Sequence, residues 1–144
     1  VPPPPRGPLS VDGVHVVLAQ RPGGSPRRIT NAEVVARALQ HGLGLAVDVV
    51  DFGSLALPEA WGVLRRCTIL MGMHGAALSN AVFLPPRAVG IQIFPFGFQF
   101  ADWTKGVQYQ HLLTAWGADR YMRYDPPNPP NQSLPRLRKL LPSL

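Results

Sequence analysis

The sequence predicts an α/β fold: a Rossmann-like domain of three αβα layers, in which helices cover both faces of a mostly parallel sheet. Two observations lead to this prediction. Short apolar segments typical of buried strands alternate along the chain with helix-forming segments. These apolar segments are too continuous for strands with one face in water, so both faces of the sheet must be covered.

Residues 1–10 contain five prolines and predict a stiff, extended linker outside the core. Residues 11–144 are then predicted to form one domain, since 46% of the chain is apolar and that is enough for a core. No run of about eighteen apolar residues is present and no signal peptide is visible, so no membrane span is expected in this stretch. The chain does not begin with methionine, and we expect it to be a piece of a longer protein.

The first strand is predicted at residues 14–19 and the second at residues 45–51. Between them lie a polar loop at residues 21–31 and a helix at residues 32–41, with Asn31 or Thr30 as its N-cap. The helix is expected to turn an apolar stripe toward the sheet, made of Val35, Ala38 and Leu39.

A second helix is expected around Pro58, because proline suits the first turn of a helix and Glu59 complements its positive end. Apolar residues at helical spacing predict the buried face of this helix, and they are Leu57, Trp61 and Leu64.

Residues 67–86 are the most informative part of the chain. They predict a buried strand at residues 67–71, a sharp break at residues 72–75 and a short helix at residues 76–84. The first turn of a helix has N–H groups without partners and a partial positive charge, which together attract an anion. His74 stands at that turn, where its imidazole could donate a hydrogen bond to a phosphate oxygen. The residue types alone leave open an ordinary strand–helix turn with an incidental histidine.

The rest of the chain continues the alternation. A fourth strand is predicted at residues 88–94, and an aromatic loop at residues 94–100 could stack on a base or a sugar, or close the core. A helix ending at Trp116, a strand at residues 120–124 and a basic terminal helix at residues 133–141 complete the predicted order.

The charge pattern indicates an anionic partner. The net charge is +6, and 12 of the 14 basic residues are arginine, whose planar guanidinium binds phosphate and carboxylate groups through paired hydrogen bonds. The arginines are dispersed along the chain, which argues against a nucleic-acid-binding tail. Cys67 is the single cysteine and predicts an inert buried side chain, and the shortage of ligands excludes a zinc site.

One sequence pattern resembles the MHGAxL…FLP signature of family 61 glycosyltransferases: His74-Gly75-Ala76-Ala77-Leu78-Ser79-Asn80, followed by Phe83-Leu84-Pro85. The resemblance extends back to Arg21, forward to about Pro95, and more loosely to the C-terminus. That family includes plant arabinosyl- and xylosyltransferases of cell-wall xylan. It also includes animal O-linked N-acetylglucosaminyltransferases of the secretory pathway.

The resemblance implies the C-terminal half of a GT-B glycosyltransferase. Such a domain binds a nucleotide sugar, expected here to be UDP-linked, and faces an N-terminal half of the same chain. The whole protein would transfer the sugar to a polysaccharide or glycoprotein acceptor in the Golgi or endoplasmic reticulum lumen, held by an upstream type II membrane anchor. No metal cofactor and no nucleic-acid partner are expected, and the catalytic base is placed in the N-terminal half.

The resemblance also assigns site residues. His74 is the predicted catalytic residue, because it would stabilise the charge that develops on the leaving diphosphate. Arg27 is interpreted as surface charge, in contrast to the other arginines of its loop. Gln92 is a candidate for the ribose hydroxyls, since an amide both donates and accepts hydrogen bonds. The alternative, a strand residue that faces an adjoining helix, stays open. The predicted binding residues are Arg21, Arg28, Asn31, Gly75, Ala76, Asn80 and Gln92.

Two alternatives stay open at this point. A non-catalytic nucleotide- or phosphate-binding module derived from such an enzyme would keep the motif without turnover. Nucleic-acid binding would rest on positive charge alone, without a recognisable motif. An acidic residue facing the cleft from an N-terminal half would favour the enzyme.

Overall fold

A computed structural model of the protein describes residues 13–25, 27–95, 103–115 and 120–126. The predictions for the linker at residues 1–10, the aromatic loop beyond Pro95 and the terminal helix at residues 133–141 lie outside these residues. No helix in the described part of the chain is both long enough and apolar enough to cross a bilayer.

In the described residues, five strands form one sheet in the order β2-β1-β3-β4-β5, and all neighbouring strands are parallel. The predicted α/β fold with a parallel sheet is therefore confirmed. The strands are β1 (His15–Ala19), β2 (Ala46–Val50), β3 (Ile69–Met73), β4 (Val89–Ile93) and β5 (Tyr121–Tyr124).

Helices connect the strands. Among the described residues, the α-helices are α1 (Ala32–Leu43), α2 (Leu57–Leu64) and α3 (Trp103–Thr114), and the 3-10 helices include η1 (Phe52–Ser54) and η2 (Ala76–Phe83). Crossovers between parallel strands are right-handed in nearly all proteins, so the strand order puts α1 on one face of the sheet and α2, η2 and α3 on the other. The contacts agree, because α2 and α3 both pack against η2.

The main core lies between the sheet and η2 with its neighbouring helices. Its fully or almost fully buried side chains include Val17, Leu64, Cys67, Leu70, Leu78, Tyr109 and Leu113. Burial raises the pKa of the Cys67 thiol to about 11, so this side chain is an inert part of the core, as predicted.

β3 starts and ends two residues later than predicted, and Gly72 belongs to the strand rather than to the break that follows it. A Cβ at Gly72 would lie 3.1 Å from Cβ of Ala19, so the absence of a side chain lets β1 and β3 pair closely. The segment after β3 is a 3-10 helix rather than a regular α-helix. Within it the Asn80 side chain donates to the carbonyl of Ala77, which competes with the α-helical bonding pattern.

The predicted apolar face of α2 is wrong for two of its three residues. Leu57 is 64% exposed and Trp61 is 51% exposed, whereas Leu64 is fully buried together with Ala60. Ala60 and Leu64 are four residues apart and face the sheet, so Trp61 lies to the side. There its ring packs against the guanidinium of Arg65, 5.8 Å from the ring centroid.

α1 also buries different residues from those expected. Ala32 and Ala36 are buried, Val35 and Leu39 are half-buried, and Ala38 is exposed. The two buried alanines are four residues apart and define the inner face, which turns Ala38 toward solvent.

Gly90 in β4 lies directly beneath α3, and a Cβ at this position would overlap Cδ1 and Cδ2 of Leu113. Gly90→Ala should therefore lower the free energy of unfolding by about 1–3 kcal/mol, measured by urea denaturation. Gly62→Ala in α2 is the matched control, because an added Cβ there meets no atom within 4 Å. Helix propensity should leave the control unchanged or stabilise it by about 0.5–1 kcal/mol. Equal stabilities for Gly90→Ala and the parent would contradict the packing of α3 on β4.

Candidate functional site

The carboxyl ends of β1 and β3 lie side by side. Ala19, the last residue of β1, pairs with Gly72, so the loop after β1 and the turn after β3 leave the sheet at the same edge. The two strand ends are therefore direct neighbours in the sheet. From β1 the chain passes to β2 on one side, and it then continues on the other side of β1 with β3, β4 and β5. α/β proteins bind ligands at such a reversal of strand order.

Arg21 packs directly on the glycine of the turn. A Cβ at Gly75 would lie 2.6 Å from Nη2 of Arg21, so the guanidinium occupies the space that any other side chain would take. Gly75 also has φ of 156° and ψ of 177°, a conformation that L residues rarely adopt. Glycine is needed at this position both for the backbone conformation and for the close approach of Arg21.

Arg27 reaches the same turn from the far end of its loop. Its Nη1 donates to the carbonyl oxygen of His74 over 3.3 Å. The interpretation of Arg27 as surface charge is therefore corrected, because the side chain is half-buried against the turn. Neither Arg21 nor Arg27 makes an ion pair with a described residue, so their charges are not neutralised within this part of the protein.

The Gln20 side chain holds the arginine loop closed. Its Oε1 accepts from the backbone N–H groups of Arg21, at 3.0 Å, and of Ile29, at 3.1 Å. Its Nε2 donates to the carbonyl of Ile29 over 2.6 Å. One amide thus joins the two ends of the loop and fixes the backbone from which its arginine side chains extend.

An open depression of about 380 Å³ lies at this edge of the sheet. Its volume is in the range of small-molecule sites. The predicted residues Arg21, Ala76 and Asn80 all line it. The full lining is Gln20, Arg21, Pro22, Ser25, Asp51, Phe52, Gly53, Ala76, Ala77 and Asn80.

Four predicted binding residues, Arg28, Asn31, Gly75 and Gln92, do not line the depression. Arg28 is exposed on the loop beside Arg27. Asn31 is exposed at the N-cap position of α1, where its side chain makes no capping hydrogen bond. Their contacts with a ligand remain predictions.

The His74 imidazole is enclosed behind the turn, with 3% of the residue exposed. Gln92 Nε2 lies 2.6 Å from its Nδ1, and the hydroxyl of Tyr121 donates to Gln92 Oε1 over 2.9 Å. This orientation of the amide makes Nδ1 an acceptor and places the ring proton on Nε2. Phe94 stacks on the ring at a centroid distance of 5.4 Å, and Tyr109 meets it edge-on at 5.2 Å.

The surroundings of His74 keep the ring neutral. Burial lowers its pKa, and the positive charges of Arg27 and Arg21 lower the pKa further. The ring is therefore a neutral hydrogen-bonding group near neutral pH rather than a third cation beside the two arginines. Burial also raises the pKa of Tyr121, which keeps its hydroxyl protonated as the donor to Gln92.

Gln92 is fully buried and both ends of its amide are engaged by His74 and Tyr121. The geometry assigns this side chain to holding the His74 ring, and the predicted contact with ribose hydroxyls remains untested. In the described residues, no group of three or more His, Cys, Asp or Glu side chains is placed to hold a metal ion.

Sequence reasoning missed several residues of the site. Asp51 follows β2 as the first polar residue at the strand's carboxyl end, and this position was a usable signal. Gln20 and Tyr121 gave no such signal, because their roles depend on loop closure and on the pairing of β4 with β5.

The lowered pKa of His74 predicts a pH-dependent stability. Below the ordinary histidine pKa of about 6.5, the unfolded chain binds a proton that the folded protein disfavours. The free energy of unfolding should therefore decrease as the pH is lowered from about 7.5 to 5.5, by at most about 1.4 kcal/mol per pH unit. Urea denaturation of the protein at several pH values in this window measures it.

His74→Asn keeps an acceptor for Gln92 but cannot titrate, so its stability should be lower at neutral pH and depend less on pH. His41→Asn is the control, because His41 is exposed on α1 and should leave the parent's pH dependence in place. The same slope in His74→Asn as in the parent would contradict the neutral, buried histidine.

The geometry can be set beside known proteins. The family model of glycosyltransferase 61 matches residues 6–91, a span that contains the arginine loop and the Gly75 turn. A beta-1,2-xylosyltransferase (XAX1) of Oryza sativa subsp. japonica is 35% identical over 97 residues, covering 60% of this chain and 16% of the relative. An alpha-1,3-arabinosyltransferase (XAT2) of the same species is 35% identical over 92 residues, covering 64% of this chain and 15% of the relative.

A similar animal protein is the protein O-linked-mannose beta-1,4-N-acetylglucosaminyltransferase 2 of Tetraodon nigroviridis. It is 35% identical over 105 residues, which cover 73% of this chain and 17% of the relative. The chain thus spans only 15–17% of the length of these curated relatives. Because the family model matches more than half of the chain and includes the Gly75 turn, the chain belongs to glycosyltransferase family 61.

Proposed function

We propose that this chain forms the part of a glycosyltransferase that binds a nucleotide-sugar donor, and that the nucleotide is UDP. The whole protein would transfer the sugar to a polysaccharide or glycoprotein acceptor, as the names of its relatives suggest. The observation that carries the proposal is the convergence of Arg21 and Arg27 on the Gly75 turn, at the start of η2.

The diphosphate of the donor fits the charges at this turn. Arg21 and Arg27 bring two guanidinium groups without a carboxylate partner among the described residues. The first N–H groups of η2, including that of Ala76, have no partners within the helix and carry partial positive charge. A multiply charged anion satisfies all of these donors at once, whereas a neutral ligand would leave the arginines unpaired.

These groups would also help the reaction. As the bond between the sugar and the diphosphate breaks, negative charge develops on the departing phosphate oxygen. Donors fixed in advance by Gln20, on the loop, and by Gly75, at the turn, stabilise that charge without reorganising. The arginines would thus act in place of a metal ion. A direct contact of His74 with the phosphate stays a prediction.

The architecture of the whole enzyme is also a proposal. We infer a Rossmann-like half of a GT-B enzyme, closed by an N-terminal half of the same protein that supplies the catalytic base. The relatives are about six times longer than the matched stretch, which leaves room for such a half and for an upstream membrane anchor. A Golgi or endoplasmic reticulum lumen location completes the proposal.

Calorimetric titration tests the proposed diphosphate site. UDP should bind more tightly than uridine, and Arg27→Ala should weaken UDP binding by roughly 10- to 150-fold, as expected for a lost charged hydrogen bond of about 1.5–3 kcal/mol. Arg28→Ala, the exposed neighbour chosen from the sequence, should have the smaller effect. Arg37→Ala is the control, because Arg37 is exposed on α1 and lies outside the site.

Each result is decisive for one part of the proposal. Equal affinities of the parent for UDP and uridine would overturn the diphosphate site. A large loss in Arg28→Ala with no loss in Arg27→Ala would exchange the roles of the two arginines.

A further inference from the structure

We propose that the part of the depression lined by Asp51 and Phe52, which follow β2, and by Asn80 of η2 binds carbohydrate hydroxyl groups of the donor, with the Asp51 carboxylate as their acceptor. This inference rests on the proposed function and extends it from the diphosphate to the neighbouring part of the ligand. None of the three residues lies on the Gly75 turn itself, but all three line the same depression as Arg21.

The sheet register brings Asp51 beside the arginine loop. Ala19 at the end of β1 pairs with Val50 at the end of β2, and the backbone N–H of Gln20 donates to the Val50 carbonyl over 2.8 Å. Arg21 and Asp51 therefore leave the sheet from neighbouring positions. They form no ion pair, so neither charge is neutralised by the other.

The Asp51 carboxylate is held in place by its own turn. Its Oδ1 accepts from the backbone N–H of Gly53 over 2.9 Å, and the hydroxyl of Ser54 donates to the Asp51 carbonyl over 2.8 Å. Among the described residues the other carboxylate oxygen, Oδ2, has no hydrogen-bond partner and no cation. A fixed oxygen that no described residue engages is an acceptor available to a ligand in the depression.

The charge of Asp51 excludes the phosphates as its partner, because two anions repel each other. A carboxylate accepts hydrogen bonds, and hydroxyl groups next to the diphosphate are the donors that a nucleotide sugar offers. In nucleotide-binding α/β proteins an acidic residue beside the phosphate site commonly binds ribose hydroxyls. Phe52 is half-buried at the same edge, and an aromatic ring provides an apolar face for a sugar or a base.

Two parts of the donor carry such hydroxyls, the ribose and the transferred sugar, and calorimetry can distinguish them. The ligands are pyrophosphate, UDP, 2′-deoxy-UDP, UDP-xylose and UDP-N-acetylglucosamine, titrated into the full protein and into Asp51→Asn. Asparagine keeps the bond to Gly53 and removes the charge. We expect Asp51→Asn to bind the ligands whose hydroxyl groups contact Asp51 at least about 10-fold more weakly than the parent does, as for a lost charged hydrogen bond. Pyrophosphate should bind the variant equally well or more tightly.

The pattern identifies the source of the hydroxyls. If the ribose is bound, UDP loses affinity in Asp51→Asn, and the parent already binds 2′-deoxy-UDP more weakly than UDP. If the transferred sugar is bound, UDP is unaffected by the substitution and the UDP-sugars lose affinity. Glu59→Gln is the control, because it removes one negative charge from the start of α2, where the Glu59 carboxylate accepts from the Ala56 N–H.

The opposite outcomes are equally clear. If Asp51→Asn changes the affinity for pyrophosphate and for every nucleotide ligand equally, or changes none of these affinities, this inference is overturned while the diphosphate site stays intact. The comparison of ligands on the parent needs no variant, and equal affinities of the parent for pyrophosphate, UDP, 2′-deoxy-UDP and the UDP-sugars would overturn it as well. No binding of any diphosphate by the parent would overturn the proposed function together with this inference.

Discussion

The contact between the Arg21 guanidinium and the bare backbone of Gly75 is the constraint on which the site depends. It requires a residue without Cβ at the turn, and it requires the loop after β1 to begin beside the end of β3. The strand order meets the second requirement, since β1 lies next to the central strand β3 and pairs with it up to Ala19 and Gly72. The positive end of η2 and two arginines meet at one point because the sheet brings them there.

Behind the turn, a second layer of contacts keeps the geometry fixed. The His74 ring is held by Gln92 from β4 and indirectly by Tyr121 from β5, so three neighbouring strands support one side chain. Burial and the nearby arginines keep that ring neutral, which avoids a third positive charge in the protein interior. In front of the turn, Gln20 fixes the loop that delivers the arginines. The depression is thus prepared before a ligand arrives, which lowers the cost of ordering it on binding.

The alternation of apolar and helical segments was sufficient to predict the parallel sheet, and the glycine break was sufficient to locate the turn. Burial within helices was not predictable, because Trp61 and Ala60 are adjacent and only packing against η2 and the sheet decides which is covered. The contact of Arg27 with the turn was not predictable for a similar reason, since loop conformation decides which of two neighbouring arginines reaches it. Gln92 was recognised as important, but its hydrogen bonds with His74 and Tyr121 depend on long-range strand pairing that no local pattern encodes.

A crystal structure of the protein with UDP tests the central claim most directly. We predict diphosphate oxygens within hydrogen-bond distance of the Arg21 and Arg27 guanidinium groups and of the Ala76 N–H, at the Gly75 turn beside the depression. UDP bound at another surface, or bound in the depression with its diphosphate turned away from both arginines, would contradict it.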